Sequence, residues 1–210
     1  MRPRIKICGI TNLTDALLSV ELGADALGFN FYQKSPRYLS PEKARKIADQ
    51  VDGETLKVGV FVNEDFDRVL KIAEVTGINA IQFHGEESPE YCSNLKRETG
   101  MTIIKAFRIS PDFAPEDVLC YEIDAILLDA FSKNAHGGTG HVFDWEIAKK
   151  VSSLFNNMYL AGGLSPANVA DAINMVAPYG IDACSGLEQA PGVKDEAKLR
   201  AFFANAGGNL

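Results

Sequence analysis

The chain has 210 residues, of which 46% are hydrophobic and 23% are charged, and this composition is that of a folded globular protein rather than a disordered one. The formal net charge of -7 argues against a protein that binds nucleic-acid phosphates, because such proteins carry a basic surface. No stretch approaches the roughly 20 consecutive apolar residues of a membrane span, and the N-terminal segment lacks the apolar run of a secretion signal. We therefore expect a cytoplasmic protein with no membrane and no nucleic acid among its partners.

Short apolar runs rich in Val, Ile and Phe alternate with segments of helical periodicity along the whole chain. The apolar runs predict eight strands, which begin at Ile5, Ala26, Leu56, Ala80, Thr102, Ala125, Met158 and Gly180. The periodic segments predict helices, which begin near Asn12, Ser40, Asp65, Ser88, Ala114, Phe143, Ser165 and Lys194. Several of these helices are opened by a predicted capping side chain, from Asn12, Ser40, Ser88, Asp144 or Ser165.

Eight strand and helix units of about 26 residues each fill the chain without a linker or a change of composition. The strands are apolar nearly throughout, as are the strands of a parallel sheet that is covered on both faces. We therefore predict an α/β protein with a single (β/α)8 barrel, or TIM barrel, over residues 1–210. A doubly wound open sheet is the alternative, but the turn CGITN after the first strand lacks GxGxxG spacing.

Catalytic groups of such barrels lie at the carboxyl ends of the strands. The sequence places reactive and charged residues there: Cys8, Arg37, His84, Lys105, Arg108, Asp129 and Asp182. Asp129 ends the apolar run 126–128, and burial there favours the protonated carboxyl group that a general acid needs. By residue type alone, Cys8 is better explained as a small buried apolar residue, whereas its place before Gly9 at the barrel mouth favours a reactive thiol.

Two glycine-rich strand ends are predicted to bind phosphate through backbone amides, as neighbouring strand ends of these barrels commonly do. Gly162 and Gly163 follow the seventh strand, while Ser185 and Gly186 follow the eighth. A third glycine-rich segment, HGGTGHVFDW, is expected to line or close over the same site. The sequence therefore predicts a phosphorylated small molecule as the ligand.

The histidines and cysteines do not follow the spacing of a metal site. His84, His136 and His141 form no compact set such as HExxH, so we predict no bound metal. The cysteines lack CxxC spacing and are expected to be reduced thiols: Cys8, Cys92, Cys120 and Cys184. His84 is explained equally well as a ligand contact or as a structural residue.

Nine sequence blocks follow one another along the chain: KICGIT, GADALGFNFYQKSPRYLSPEKA, VGVFVNE, IQFHGEE, KAFR, LLDA, GGTGHVFDW, AGGLSPANV and SGLEQAPGVKD. Together they resemble the phosphoribosylanthranilate isomerase family of tryptophan biosynthesis over essentially the whole chain. The family reaction is an Amadori rearrangement of the aminoaldose N-(5-phosphoribosyl)anthranilate to the aminoketose 1-(2-carboxyphenylamino)-1-deoxyribulose 5-phosphate. The resemblance implies an isomerase without metal or cofactor that is a monomer or a homodimer.

The resemblance also implies roles for single residues. Asp129 would protonate the ribose ring oxygen and so open the ring, and Cys8 would remove the proton from C2. Arg37 in SPRY would hold the anthranilate carboxylate, which suits a planar guanidinium group. His84 and Asp182 would line the pocket near the ribose or the aromatic ring. The phosphate would lie against a set of small residues: Gly140, Gly162, Gly163, Ser185 and Gly186.

Two residues depart from the usual pattern of the family. Asn30 replaces an apolar residue, and Cys184 stands where Ser or Ala is more familiar. The residues by themselves also leave three other functions open. These are a metal-dependent epimerase, a Schiff-base aldolase with Lys105 as its lysine, and a phosphoribosyl-binding protein without catalysis.

Overall fold

Eight parallel strands close into a barrel in chain order, and the eighth strand pairs with the first. A computed structural model describes residues 2–51, 53–110, 112–129 and 145–207 of the chain. The predicted (β/α)8 barrel is confirmed, and closure of the sheet excludes the doubly wound alternative. The barrel strands are β1 (Arg4–Cys8), β2 (Ala26–Asn30), β3 (Leu56–Phe61), β4 (Ala80–Phe83), β5 (Thr102–Arg108), β6 (Ala125–Asp129), β7 (Met158–Ala161) and β8 (Gly180–Ala183).

Helices follow the strands and cover the outside of the barrel. They are α1 (Leu13–Glu21), α2 (Pro41–Ala48), α3 (Phe66–Thr76), α4 (Pro89–Thr99), α5 (Trp145–Leu154), α6 (Val169–Val176) and α7 (Glu196–Asn205). Three of the predicted caps are confirmed, because the side chains of Asn12, Ser40 and Ser88 each accept a hydrogen bond from the amide three residues later. The predicted cap Asp144 lies outside the described residues. Within the described ranges, no helix has the length and apolar character needed to cross a membrane.

Alternate residues of each strand face opposite sides of the sheet. The inner face carries a cluster of mostly small apolar residues: Ala26, Val58, Ala80, Ile104, Ala106, Ala125, Leu127, Tyr159 and Ala161. The outer face packs larger side chains such as Ile7, Phe83 and Leu128 against the helices. Because Cys8 and Asp129 follow the outward-facing Ile7 and Leu128, their side chains point inward at the carboxyl-end mouth of the barrel.

Two predicted helices differ from the observed ones. The helix expected near Ala114 is a six-residue 3-10 helix, Pro115–Cys120, whose entry is fixed by a hydrogen bond from the Ala114 amide to the Asp117 carboxylate. The helix expected at Ser165 begins only at Val169. The side chain of Asn168 accepts a hydrogen bond from the Ser165 amide at 2.8 Å and holds the intervening residues in a turn, so Ser165 is not the cap.

A small hairpin follows β8 and was not predicted from the sequence. The strands β9 (Glu188–Ala190) and β10 (Val193–Lys194) pair antiparallel, and α7 begins after them with Asp195 as its cap. Strands of three and two residues are too short to show a period of hydrophobic residues. This hairpin bears on the site, because Glu188 and Lys194 lie under the barrel mouth.

Candidate active site

A cavity of about 310 Å³ opens at the carboxyl ends of the barrel strands. Nine of the ten predicted site residues line it: Cys8, Arg37, His84, Asp129, Gly162, Gly163, Asp182, Ser185 and Gly186. The tenth, Gly140, lies outside the described residues. The cavity also includes Asn30, whose side chain accepts a hydrogen bond from the Tyr32 amide at 2.9 Å, so this unusual residue makes the mouth more polar.

Cys8 ends β1 and shares its inner face with Lys6, two residues earlier. Gly28 on the neighbouring strand leaves room for both side chains. A Cβ atom at Gly28 would lie 2.8 Å from the Cys8 sulfur and 3.0 Å from the Lys6 ammonium nitrogen. The thiol and the ammonium group therefore lie against the same point of the barrel wall. The Cys8 carbonyl is also fixed, because it accepts a 2.6 Å hydrogen bond from Lys194 Nζ.

The surroundings of Cys8 favour its thiolate form. The pKa of Cys8 lies well below the usual value, first because the Cys184 thiol donates a hydrogen bond to it. Burial opposes ionisation, but the positive charges of Lys6 and Lys194 add to the hydrogen bond and outweigh it. The same hydrogen bond, together with burial, raises the pKa of Cys184, so Cys184 is the protonated member of the pair. The interpretation of Cys8 as a simple apolar filler does not account for this environment.

Lys6 and Asp182 form an ion pair inside the barrel. Lys6 Nζ donates to Asp182 Oδ1 at 2.7 Å, and the two side chains are 0% and 9% exposed. Burial raises the pKa of Asp182 to about 6, although the ammonium group of Lys6 works against this rise. Burial alone would lower the pKa of Lys6, but Asp182 and Cys8 outweigh it and shift the pKa upward. Lys6 is therefore a fixed cation between the carboxylate and the thiol.

Asp129 and His84 face each other across the opposite side of the mouth, with 3.8 Å between His84 Nε2 and Asp129 Oδ2. The other ring nitrogen of His84 lies 3.3 Å from the amide nitrogen of Gln82. When that amide donates to Nδ1, the ring proton is on Nε2 and faces Asp129. Gln82 is buried, and its side-chain oxygen has no hydrogen-bond partner among the described residues. Buried polar atoms nearly always have a partner, so this oxygen is an unsatisfied polar group in the wall of the cavity.

Arg37 is held at the mouth by Glu188 of β9. Its Nε and Nη2 atoms lie 2.8 and 2.6 Å from the two carboxylate oxygens of Glu188, which makes a bidentate pair. Burial would raise the pKa of Glu188, but Arg37 and the buried Lys194 outweigh it and lower the pKa. Gly9 leaves room for this arrangement, because a Cβ atom there would lie 2.7 Å from Arg37 Cδ.

The strand ends of β7 and β8 approach each other through glycine. Gly162 and Gly163 both have positive φ angles, of 94° and 66°, which side chains disfavour. A Cβ atom at Gly186 would overlap the carbonyl oxygen of Leu164. Backbone therefore packs directly on backbone at this edge of the cavity, where phosphate sites built on backbone amides need the main chain to come close to the ligand.

Comparison with known proteins agrees with this architecture. Residues 5–205 match the family model described as N-(5'phosphoribosyl)anthranilate (PRA) isomerase. A protein named N-(5'-phosphoribosyl)anthranilate isomerase from Pelobacter propionicus is 47% identical over 200 residues, which cover 95% of this chain and 93% of that protein. The chain belongs to the phosphoribosylanthranilate isomerase family.

Solved structures of the family superpose over nearly the whole barrel. Phosphoribosyl anthranilate isomerase from Thermotoga maritima has a TM-score of 0.89 and 44% identity, with 98% of each chain covered. A phosphoribosyl anthranilate isomerase in complex with reduced 1-(o-carboxyphenylamino)-1-deoxyribulose 5-phosphate has a TM-score of 0.87 and 43% identity, again with 98% of each chain covered. The family, the fold and the isomerase activity predicted from the sequence are thereby confirmed.

The geometry also bears on the aldolase alternative. Lys105 lies on the outer face of β5, where its Nζ donates to the Gly85 carbonyl at 2.7 Å and pairs with Glu87 at 3.3 Å. Its side chain is 4% exposed and does not line the cavity, so it is not placed to form a Schiff base with a ligand there. For the epimerase alternative, the described part of the chain contains no group of three or more His, Cys, Asp and Glu residues arranged to hold a metal ion.

Four residues of the site were not predicted from the sequence: Lys6, Gln82, Glu188 and Lys194. Lys6 carried a usable signal, because a charged residue two positions before Cys8 shares its strand face. Gln82 carried the same signal relative to His84. Glu188 and Lys194 carried none, because their roles depend on a hairpin that brings them back under the barrel mouth.

Proposed function

We propose that this isomerase rearranges N-(5-phosphoribosyl)anthranilate to 1-(2-carboxyphenylamino)-1-deoxyribulose 5-phosphate with Asp129 as general acid and Cys8 as general base. One observation carries the assignment: a thiol with a lowered pKa and a carboxyl group open onto one cavity from different strand ends. Proton transfer to the ring oxygen and from C2, both of which are bonded to C1 of the substrate, needs such a pair.

In the first step, Asp129 gives a proton to the ribose ring oxygen, and the bond between that oxygen and C1 breaks. The anthranilate nitrogen supplies the electron pair, so the opened sugar is a protonated Schiff base. We assign His84, whose Nε2 lies 3.8 Å from Asp129 Oδ2, to stabilisation of the carboxylate after the proton has left.

In the second step, the Cys8 thiolate takes the proton from C2, and the electron pair moves into the Schiff base to give an enolamine. The enolamine then becomes the ketone by tautomerisation. The Schiff base is a strong electron acceptor, which makes the C2 proton acidic enough for a thiolate. Lys6 and the Cys184 thiol favour the thiolate form of Cys8, which acts as a base and forms no covalent bond to the substrate.

The ends of the substrate are assigned to opposite sides of the mouth. Glu188 takes Nε and Nη2 of Arg37, and we assign Nη1 to the anthranilate carboxylate. The phosphate is assigned to the backbone around Gly163 and Gly186, with Gly140 as a further predicted contact from the segment outside the described residues. The buried oxygen of Gln82 is assigned to a ribose hydroxyl group, which would satisfy it.

Location and assembly stay predictions. A base thiol must remain reduced to work, and the cytoplasm keeps thiols reduced, which supports the cytoplasmic expectation. The chain is expected to be a monomer or a homodimer. Light scattering of the purified protein, coupled to size-exclusion chromatography, decides between these two states.

Complementation of a tryptophan auxotroph that lacks this isomerase tests the substrate and the reaction together. The chain should restore growth without tryptophan, and the Asp129→Asn variant, expressed at the same level, should not. Purified protein should convert N-(5-phosphoribosyl)anthranilate to the aminoketose, followed by chromatography. Binding of the substrate without conversion would instead support the non-catalytic alternative.

A further inference from the structure

Cys8 and Cys184 stand side by side at the mouth. Strands β1 and β8 pair in parallel with Ile7 opposite Ala183, and the residue that follows each of these two is a cysteine. Both thiols line the cavity. Neighbouring strands are about 4.8 Å apart. The Cα atoms of disulfide-linked cysteines usually lie about 4.4 to 6.8 Å apart, so this spacing suits a disulfide.

The backbone around the two cysteines is bridged by a single side chain, Lys194. Lys194 Nζ donates to the carbonyl oxygens of both residues, at 2.6 Å for Cys8 and 3.3 Å for Cys184. The Cys184 sulfur lies 3.7 Å from Glu188 Oε1, and Glu188 accepts a hydrogen bond from the same Lys194 ammonium group at 3.2 Å. One ammonium group therefore fixes the main chains of both cysteines at the same edge of the cavity.

We propose that Cys8 and Cys184 are a modification site for hydroperoxides, at which the two thiols close into a reversible disulfide. The Cys8 thiolate attacks one peroxide oxygen, the O–O bond breaks, and Cys8 becomes a sulfenic acid while the peroxide is reduced to an alcohol or water. The sulfur of Cys184 then attacks the Cys8 sulfur, the S–O bond breaks, and water leaves with the Cys184 proton. Two thiols lose two electrons in all, and the peroxide gains them.

The surroundings of the two cysteines determine which thiol reacts with the peroxide first. Cys8 is the ionised thiol of the pair and opens onto the cavity, so it reacts with peroxide first. The hydrogen bond to the Cys8 thiolate keeps Cys184 protonated, and sulfenic acid formation removes the negative charge of that thiolate. Lys194 and Arg37 then remain as positive charges that favour the Cys184 thiolate, which is the attacking form in the second step.

Disulfide formation has a predictable effect on catalysis. It removes the thiolate that the proposed function uses as its base, so the enzyme is off while the bond is closed and regains activity on reduction. The disulfide also stops peroxide from taking Cys8 further to sulfinic acid, which thiols do not reverse. This effect on activity rests on the proposed function, whereas formation of the bond does not.

The test exposes the full-length protein to hydrogen peroxide, blocks remaining thiols with iodoacetamide and maps a non-reduced digest by mass spectrometry. A linked peptide pair containing Cys8 and Cys184 is expected, and dithiothreitol should separate the pair and restore activity at least tenfold. A Cys8 peptide that carries sulfinic or sulfonic acid without any linked pair would overturn the proposal.

Two variants sharpen the result. In Cys184→Ser, the same exposure should oxidise Cys8 beyond sulfenic acid, and dithiothreitol should no longer restore the activity that the variant had before treatment. Cys120→Ser is the matched control, because Cys120 is an exposed thiol on the 3-10 helix Pro115–Cys120, and it should behave as the unmodified chain does. Full recovery of oxidised Cys184→Ser would also overturn the proposal.

The two proposals fail in different ways. If the linked peptide forms and turnover continues unchanged, the disulfide stands and the assignment of Cys8 as base falls. If turnover is lost in Cys8→Ala but no linked peptide forms on oxidation, the base assignment stands and the disulfide falls.

Discussion

Lys6 donates a 2.7 Å hydrogen bond to Asp182 within the barrel, and the same ammonium group lies beside the thiol of Cys8. The buried ammonium group of Lys6 thus lies close to two anionic groups that face the cavity, the Asp182 carboxylate and the Cys8 thiolate. A buried ammonium group costs free energy unless it has anionic partners. The Asp182 carboxylate and the Cys8 thiolate are these partners, so the buried Lys6 stabilises the ionised form of the proposed base.

Removal of either proton-transfer group should depress turnover steeply. Cys8→Ala and Asp129→Asn are each expected to lower kcat by about 100-fold to 10,000-fold, which is the usual contribution of a positioned acid or base. Steady-state kinetics at saturating substrate checks this, with circular dichroism to confirm that both variants fold. Near-full activity in Cys8→Ala would show that another group removes the C2 proton.

The acid side of the pH profile should report the ionisation of Cys8. A base with a lowered pKa is active above that pKa and loses activity as pH falls through it, so the acid limb of kcat/KM should lie below the pH at which an ordinary thiol ionises. Lys6→Met and Cys184→Ala each remove a group that favours the thiolate, and both should move this limb to higher pH. The charged groups around Cys8 that they leave in place are Lys194, Asp182 and Arg37.

Thiol titration gives a readout of the same ionisation that does not depend on turnover. In Lys6→Met and Cys184→Ala, the pH at which Cys8 becomes reactive towards iodoacetamide should rise in parallel with the kinetic limb. Peptide mapping follows the alkylation of Cys8 at each pH. A limb that moves while the alkylation profile stays fixed would show that the limb belongs to a different group.

The pair of Lys6 and Asp182 should also appear in stability. Loss of one partner of a buried ion pair costs about 3 to 5 kcal/mol, because a buried charge is left uncompensated. Lys6→Met should therefore unfold at lower urea concentration at pH 7, and adding Asp182→Asn should recover part of the loss. In Lys6→Met the pKa of Asp182 rises further above its unfolded value, so the penalty should shrink as pH falls through that pKa. A penalty independent of pH would argue against the carboxylate as its source.

Much of the fold and of the site was predictable from the sequence, and the failures have physical causes. The strand register placed Cys8 and Asp129 at the mouth because side chains alternate along a strand, and this needs only local pattern. The predicted start of α6 was wrong because the side chain of Asn168, rather than the local hydrophobic period, decides where that helix begins. Glu188 could not be found, because its contact with Arg37 joins positions 151 residues apart.

The close approach at Gly186 can be tested by adding a single methyl group. Gly186→Ala places a Cβ atom onto the Leu164 carbonyl oxygen, and a backbone oxygen can only move together with its loop. The variant should lose about 1 to 3 kcal/mol of unfolding free energy, as overpacked sites do, and should bind inorganic phosphate more weakly. Gly53→Ala is the matched control, because a Cβ atom there would have no neighbour within 4 Å. Unchanged phosphate binding in Gly186→Ala would argue against a phosphate site at this edge.

Glu188 should control how Arg37 binds the anthranilate carboxylate. Arg37→Ala removes the guanidinium group and should raise KM for the substrate, with a much smaller effect on binding of inorganic phosphate, because the phosphate end lies on backbone amides. Glu188→Gln keeps the shape of the side chain but loses the charge that fixes Nε and Nη2 of Arg37. It should raise KM about 10-fold to 150-fold, since charge-assisted hydrogen bonds contribute about 1.5 to 3 kcal/mol, and kcat should change less than KM.

The double variant Arg37→Ala with Glu188→Gln distinguishes positioning from general structural damage. If Glu188 acts through Arg37, the Glu188→Gln change should add little to KM once the guanidinium group is gone. Glu188 also accepts hydrogen bonds from Lys194 at 3.2 Å and from the Gly192 amide at 3.2 Å, so a purely structural role would lower kcat and thermal stability in both backgrounds alike. An equal rise in KM on Glu188→Gln in the two backgrounds would therefore assign Glu188 to the hairpin rather than to binding of the substrate through Arg37.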